Sequence, residues 1–169
     1  SCCGQEGTAA TCFGSVAGLT PGGNFPYEHT TPCEVNVAAN WESIQGPAAF
    51  ASAFDVSRET IERLEVYEGL LTKWQTTINL VAPKTLGEVW HRHFADSAQI
   101  LEYAPARRPL DWVDLGAGAG FPGLVVGILL AEAPGSRLQL IESDGRKAAF
   151  LREVVRATGI GTFVAVDIV

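Results

Sequence analysis

The stretch LDWVDLGAGAGFPGLVVGILLAEAPGSRLQLIES, Leu110 to Ser143, sets four glycines between a short apolar run and a long one. Leu110–Leu115 reads as a strand, Pro122–Glu132 as a helix and Arg137–Glu142 as a second strand. Pro122 suits the first turn of that helix, where its missing N–H is no loss. Further on, Arg146–Thr158 reads as a helix closed by Gly159, and Thr162–Ile168 as a third strand. Strands alternating with helices of this length predict an α/β fold with a parallel sheet and right-handed crossovers.

A glycine-rich turn between strand and helix lets a ligand approach the backbone closely at the positive end of the helix dipole. Gly118, Gly120 and Gly123 match G-x-G-x-x-G, and Glu142 follows about 20 residues on, where a ribose-binding acid belongs. A tight turn that merely needs positive φ would leave the same trace. Asp114 discriminates between ligands. A carboxylate at the end of the first strand would repel the diphosphate of a dinucleotide. It would attract the cationic sulfonium and ammonium of S-adenosylmethionine, with Glu142 accepting from the ribose hydroxyls.

Ahead of the turn, Ile61, Leu64, Tyr67, Leu71, Trp74 and Ile78 recur at helical spacing, with Asp55 or Ser57 as N-cap. The run from Pro83 to Pro105 predicts a second helix, with Thr85 and Glu88 at capping-box spacing. Its stripe would comprise Val89, Trp90, His93 or Phe94, Ser97 and Ile100–Leu101. Asp96 is expected to pair with Arg92 or His91 across one turn. Residues 1–47 contain no Lys or Arg and show no period. They read as a disordered leader or a stretch outside the natural protein, followed by a helical extension over 48–105 and the sheet region over 106–169.

The chain has 169 residues, 47% of them hydrophobic and 18% charged, which is a globular composition. Its longest apolar run in the glycine segment, Leu124–Ala131, falls short of the roughly 20 residues that span a bilayer. No secretory signal opens the sequence. Cys2, Cys3, Cys12 and Cys33 fit no zinc spacing, so no metal is expected. A formal charge of −7 argues against non-specific nucleic-acid affinity while leaving room for a local basic patch.

Four segments in order resemble one family: FDVSRETIERLEVYEGLLTKWQTTINLVAP, EVWHRHFADSAQIL, WVDLGAGAGFPGLVVGILL and LIESDGRKAAFLREVVRATG. They are similar to the bacterial 16S ribosomal RNA guanine-N(7) methyltransferases (RsmG), also called glucose-inhibited division protein B. The likeness covers about Ala49 to Gly159. It includes W-x4-N-L at Trp74, Asn79 and Leu80, and R-H-x2-D-S at Arg92, His93, Asp96 and Ser97. It implies a Rossmann-like class I S-adenosylmethionine-dependent methyltransferase fold with an N-terminal helical extension, in a cytoplasmic enzyme acting on a guanine of 16S ribosomal RNA or the small ribosomal subunit. Gly116 and Phe121 match family positions that contact the cofactor; Asp114, Gly118, Gly120 and Glu142 join them by motif.

The seven-position nitrogen of guanine carries a lone pair and no proton, so no general base is required and no catalytic residue is assigned. His93 is read as orienting or packing. Candidates for RNA contact are Lys73, Lys84, Arg92, His93, Arg107, Arg108, Arg146 and Lys147. The resemblance fades after Gly159, which predicts a sheet truncated after the third strand. Strand order 3-2-1 would leave the first strand as an exposed apolar edge, and the chain is expected to associate. A class I methyltransferase with a small-molecule substrate and an inactive ligand-binding remnant are the alternative readings.

Overall fold

The computed structural model describes residues 44–105, 109–133 and 135–169. The expectations for the four cysteines, for residues 1–43 and for Arg107 and Arg108 lie outside the described residues. Ile44, assigned above to the leader, is buried in the core. It is followed by a helix the sequence reading did not anticipate, α1 (Pro47–Phe54), with proline in its first turn and a left-handed Asp55 at its end. Its sequence, PAAFASAF, has no charged residue to mark an outer face, which hid the period.

Helix α2 (Arg58–Gln75) follows the expected pattern. Ser57 caps it by accepting from the Thr60 amide at 3.2 Å, and Leu64, Tyr67 and Leu71 are fully buried. Thr60 donates to Glu132 at 2.9 Å, which ties the start of α2 to the turn before the second strand. Residues 83–103 are helical but irregular: 3-10 over Pro83–Glu88, π over Trp90–Ala95, a short α3 (Asp96–Ala98), then 3-10 over Gln99–Tyr103. Two expectations change here. No capping box forms, because Thr85 instead donates to the Ala82 carbonyl and meets His93. Asp96 makes no ion pair among the described residues; the π turn alters the spacing, and its charge acts on His93.

The sheet has order β1-β2-β3, all parallel, with β1 (Asp111–Leu115), β2 (Arg137–Ile141) and β3 (Ala165–Ile168). Asp114 pairs in register with Leu140, and Gln139 with Asp167. Between the strands run α4 (Gly123–Leu130) and α5 (Gly145–Thr158). Every residue of α4 except Leu129 is buried. Gly127 sits so close to Leu138 that an added Cβ would lie 2.6 Å from its Cδ2. The opposite sheet face carries Val113 and Leu115, 53% and 76% exposed, on the edge strand. The 3-2-1 order and the exposed apolar edge are therefore both present.

One core joins the helical extension to the sheet. A chain of ring contacts runs from Phe50 through Trp90 and Phe94 to Tyr67, and on to Phe121, Phe150 and Trp74. The extension thus packs directly on the glycine turn, which places it to act on the site.

Candidate functional site

The turn between β1 and α4 takes φ of +77°, +57° and +95° at Gly116, Gly118 and Gly120, a region that L side chains avoid. Six amides from Gly116 to Leu124 are closed by protein acceptors. Gly116 and Ala117 donate to the Ile141 carbonyl, Gly120 to Ala117 and Leu124 to Gly120. Gly118 donates to Glu142 Oε2 at 2.8 Å, and Gly123 to Asp114 Oδ2 at 2.9 Å. A phosphate cradle needs such amides free and aimed at the ligand. Here six of them are already satisfied.

Asp114 does not stand out in the cleft, as the charge argument pictured it. It is 9% exposed, and its carboxylate turns toward the first residue of α4. Burial raises its pKa, while the Gly123 amide opposes that rise. Its carboxylate occupies the position at the N-terminus of α4 where an anion would otherwise bind. The raised pKa means that the folded state holds the proton more firmly than the unfolded chain. This contribution to stability is present below the unfolded pKa and is lost as pH rises through the folded value. Asp114→Asn should therefore leave the thermal midpoint at neutral pH unchanged or higher. Asp114→Ala strands the buried Gly123 amide and should cost about 1–3 kcal/mol. Thermal melts of both variants test this, and a severe loss in the asparagine variant would contradict it.

Glu142 lies just past β2, which stops at Ile141 and not at Glu142 as expected, and bridges two backbones, accepting from Gly118 and, at 2.7 Å through Oε1, from the Asp144 amide. The Asp144 contact is the main cause of its lowered pKa, with the Gly118 amide and the Lys147 charge adding to it. A carboxylate has about four lone-pair directions, so two remain for further donors. Asp144, not singled out from sequence, is the N-cap of α5 and accepts from Arg146 and Lys147. Its signal was present, since aspartate two residues before Arg146 is a common capping choice.

Phe121 is flanked by two near-parallel rings, His93 at 4.7 Å and Tyr67 at 5.4 Å between centroids, each inclined by 19°. Its ring is thus engaged within the protein. His93 also reaches Thr85 Oγ1 from Nε2 at 2.9 Å. Burial lowers its pKa, against the pull of Asp96. Its neighbour Arg92 points elsewhere, into a cavity of about 860 Å³ shared with Ile44, Glu68, Trp90 and His91. That cavity shares no lining residue with the glycine turn. Arg146 is exposed beside Asp144 at 3.5 Å, and Lys147 lies near Glu142. The structure therefore gathers Asp114, Gly116, Gly118, Gly120, Phe121, Glu142, Arg146 and Lys147 around one turn, supports it with His93, and leaves Arg92 aside. No group of metal-binding side chains and no helix long and apolar enough to cross a membrane occurs among the described residues.

Comparison with known proteins identifies relatives of this chain. The family described as rRNA small subunit methyltransferase G (GidB) matches residues 60–167, which corrects the expectation that the likeness fades after Gly159. The chain is 55% identical over 113 residues to the ribosomal RNA small subunit methyltransferase G of Parvibaculum lavamentivorans, covering 66% of this chain and 49% of the relative. It is 61% identical over 111 residues to that of Rhodospirillum centenum, covering 65% and 49%. With the Bradyrhizobium sp. ORS 278 protein of the same name it shares 49% identity over 124 residues, covering 73% and 55%. The chain spans about half the length of the curated relatives it matches. With four motifs, a closed glycine turn and a family match in agreement, the chain belongs to the rRNA small subunit methyltransferase G (GidB) family.

Proposed function

We propose that this chain forms the S-adenosylmethionine-binding part of a methyltransferase that modifies N7 of a guanine in 16S ribosomal RNA. The observation that carries the reading is the closure of the turn. Gly116, Ala117, Gly118, Gly120, Gly123 and Leu124 spend their amides on the protein, and Asp114 fills the helix N-terminus. What remains at the strand ends is acidic, which favours a cationic, phosphate-free ligand over a dinucleotide. Glu142 is the residue to hold ribose hydroxyls, and Gly116 to Gly120 let the ligand lie against bare backbone.

Bound S-adenosylmethionine supplies an activated methyl group. The protein's part is to orient two reactants and exclude water, because guanine N7 has no proton to remove. Arg146 and Lys147, opening α5 beside Glu142, are placed for phosphate contacts that position an RNA without reading its bases. The substrate role considered for Arg92 gains no support from its position, and His93 is committed to Phe121. Residence in the cytoplasm is part of the same proposal.

Calorimetric titration with S-adenosylhomocysteine and with NAD tests the ligand class. Micromolar binding of the first and none of the second is expected, and tight NAD binding would overturn the reading. Gly118→Leu should abolish binding of S-adenosylhomocysteine. A Cβ there meets only the Gly116 carbonyl, at 3.7 Å, so the larger side chain projects into the ligand's space. If a strain lacking the gene retained every N7-methylguanine in its 16S ribosomal RNA, the substrate would have to be a different molecule.

A further inference from the structure

We propose that Tyr67 and His93, both on the helical extension, are positioning residues that hold the Ala119–Phe121 part of the turn in its donor-binding geometry. This rests on the donor site proposed above and assigns the extension a part in it. Packing alone does not explain Tyr67. Its ring lies fully buried among Phe94, Phe121 and Phe150, where a phenylalanine would fill the same space. The hydroxyl is the unexplained feature, and it donates to the Ala119 carbonyl. Ala119 is 5% exposed, so water is a poor substitute partner.

That carbonyl sits in a peptide held from within the turn on one side only. It lies between Gly118 and Gly120, both with positive φ; the Gly120 N–H of the same peptide donates to the Ala117 carbonyl, and Tyr67 holds the opposite, carbonyl side. The phenol reaches it from α2, across 52 residues of sequence. His93 acts two residues further along, stacking on Phe121 at 4.7 Å while Thr85 holds its Nε2. The two residues therefore restrain neighbouring parts of the turn from outside the β1 and β2 ends and the turn itself, which supply the acceptors for its amides.

Without the hydroxyl, the Ala119–Gly120 peptide keeps only the Gly120-to-Ala117 bond, and the turn spends less time in its competent form. Apparent affinity falls by the fraction of competent turn that is lost. In titrations of the full chain with S-adenosylhomocysteine, Tyr67→Phe should raise Kd by a factor on the order of five to ten. His93→Ala should weaken binding, and His93→Phe, which keeps a ring against Phe121, should restore it to within about twofold of wild type. Val154→Ala, buried on α5, serves as control and should lower the thermal midpoint without moving Kd.

Wild-type affinity in Tyr67→Phe, or equal weakening in the Val154→Ala control, would overturn the positioning role and leave the donor site standing. Failure of His93→Phe to rescue would likewise remove His93 from it. If wild-type chain itself took up no S-adenosylhomocysteine, the donor site and this inference would fall together.

Discussion

Gly123→Ala is expected to cost the chain about 1–3 kcal/mol of folding stability, read as a fall in thermal midpoint of several degrees. Gly123 opens α4 at the point where the helix presses on the sheet. An added Cβ would lie 2.5 Å from Leu140 Cδ2, and 2.6 and 2.9 Å from Oδ2 and Cβ of Asp114. Leu140 has another rotamer to try. Asp114 has no comparable escape, because moving its carboxylate breaks the bond to the Gly123 amide. The methyl group therefore drives α4 away from β1 and opens the turn between them, so affinity for the methyl donor should fall as well. Gly145→Ala is the matched control: it also begins a helix, its Cβ meets nothing within 4 Å, and it should be neutral or slightly stabilising. Equal midpoints for Gly123→Ala and wild type, by circular dichroism, would show that the close approach of helix and sheet is absent in solution.

Glu142 carries the second large effect. Its two oxygens span Gly118 and Asp144, so it both shapes the turn and, in the proposed site, holds the ribose. Glutamine preserves the shape but must turn an amide nitrogen toward one of two backbone donors. Glu142→Gln should therefore weaken binding of S-adenosylhomocysteine by about tenfold or more, and Glu142→Ala by on the order of a hundredfold, since hydrogen bonds to a charged acceptor contribute roughly 1.5–3 kcal/mol each. The pH dependence has a definite sign. Both backbone amides stabilise the ionised form, so the folded pKa lies below the unfolded one. The contribution is complete above the unfolded value and is lost as pH falls through the folded value. Donor affinity should be flat through neutrality and decline in acid. Isothermal titration across that range checks it, and full affinity in the alanine variant would remove Glu142 from the site.

The alternation of strands and helices was legible from Leu110 onward because its signals are local: apolar runs, capping residues and glycines at the ends. The strands observed are shorter at one end, β1 beginning at Asp111 and β3 at Ala165, since backbone pairing stops before the apolar pattern does. The segment 83–103 was read as one regular helix. Its π turn at Trp90–Ala95 depends on how Phe94 and His93 meet Phe121, a contact that crosses the fold. Helix α1 was not anticipated because its eight residues carry no charge and a single polar side chain, Ser52, too little to reveal a period.

Among the site residues, Gly116, Gly118 and Gly120 were identifiable because positive φ is a property of single residues, visible wherever glycines cluster. The direction of a side chain is not. Asp114 reads as an exposed acid beside a ligand until Gly123, nine residues on, offers it a helix terminus. Tyr67 reads as one more core aromatic until its hydroxyl finds Ala119. Local chemistry was enough to specify the order of strands and helices from Leu110 onward and the position of the turn, while the family came from the resemblance of four segments. Which acceptor closes each amide was decided only when distant segments packed together. A hydrogen bond exists through distance and angle in space, and spacing along the chain prescribes neither.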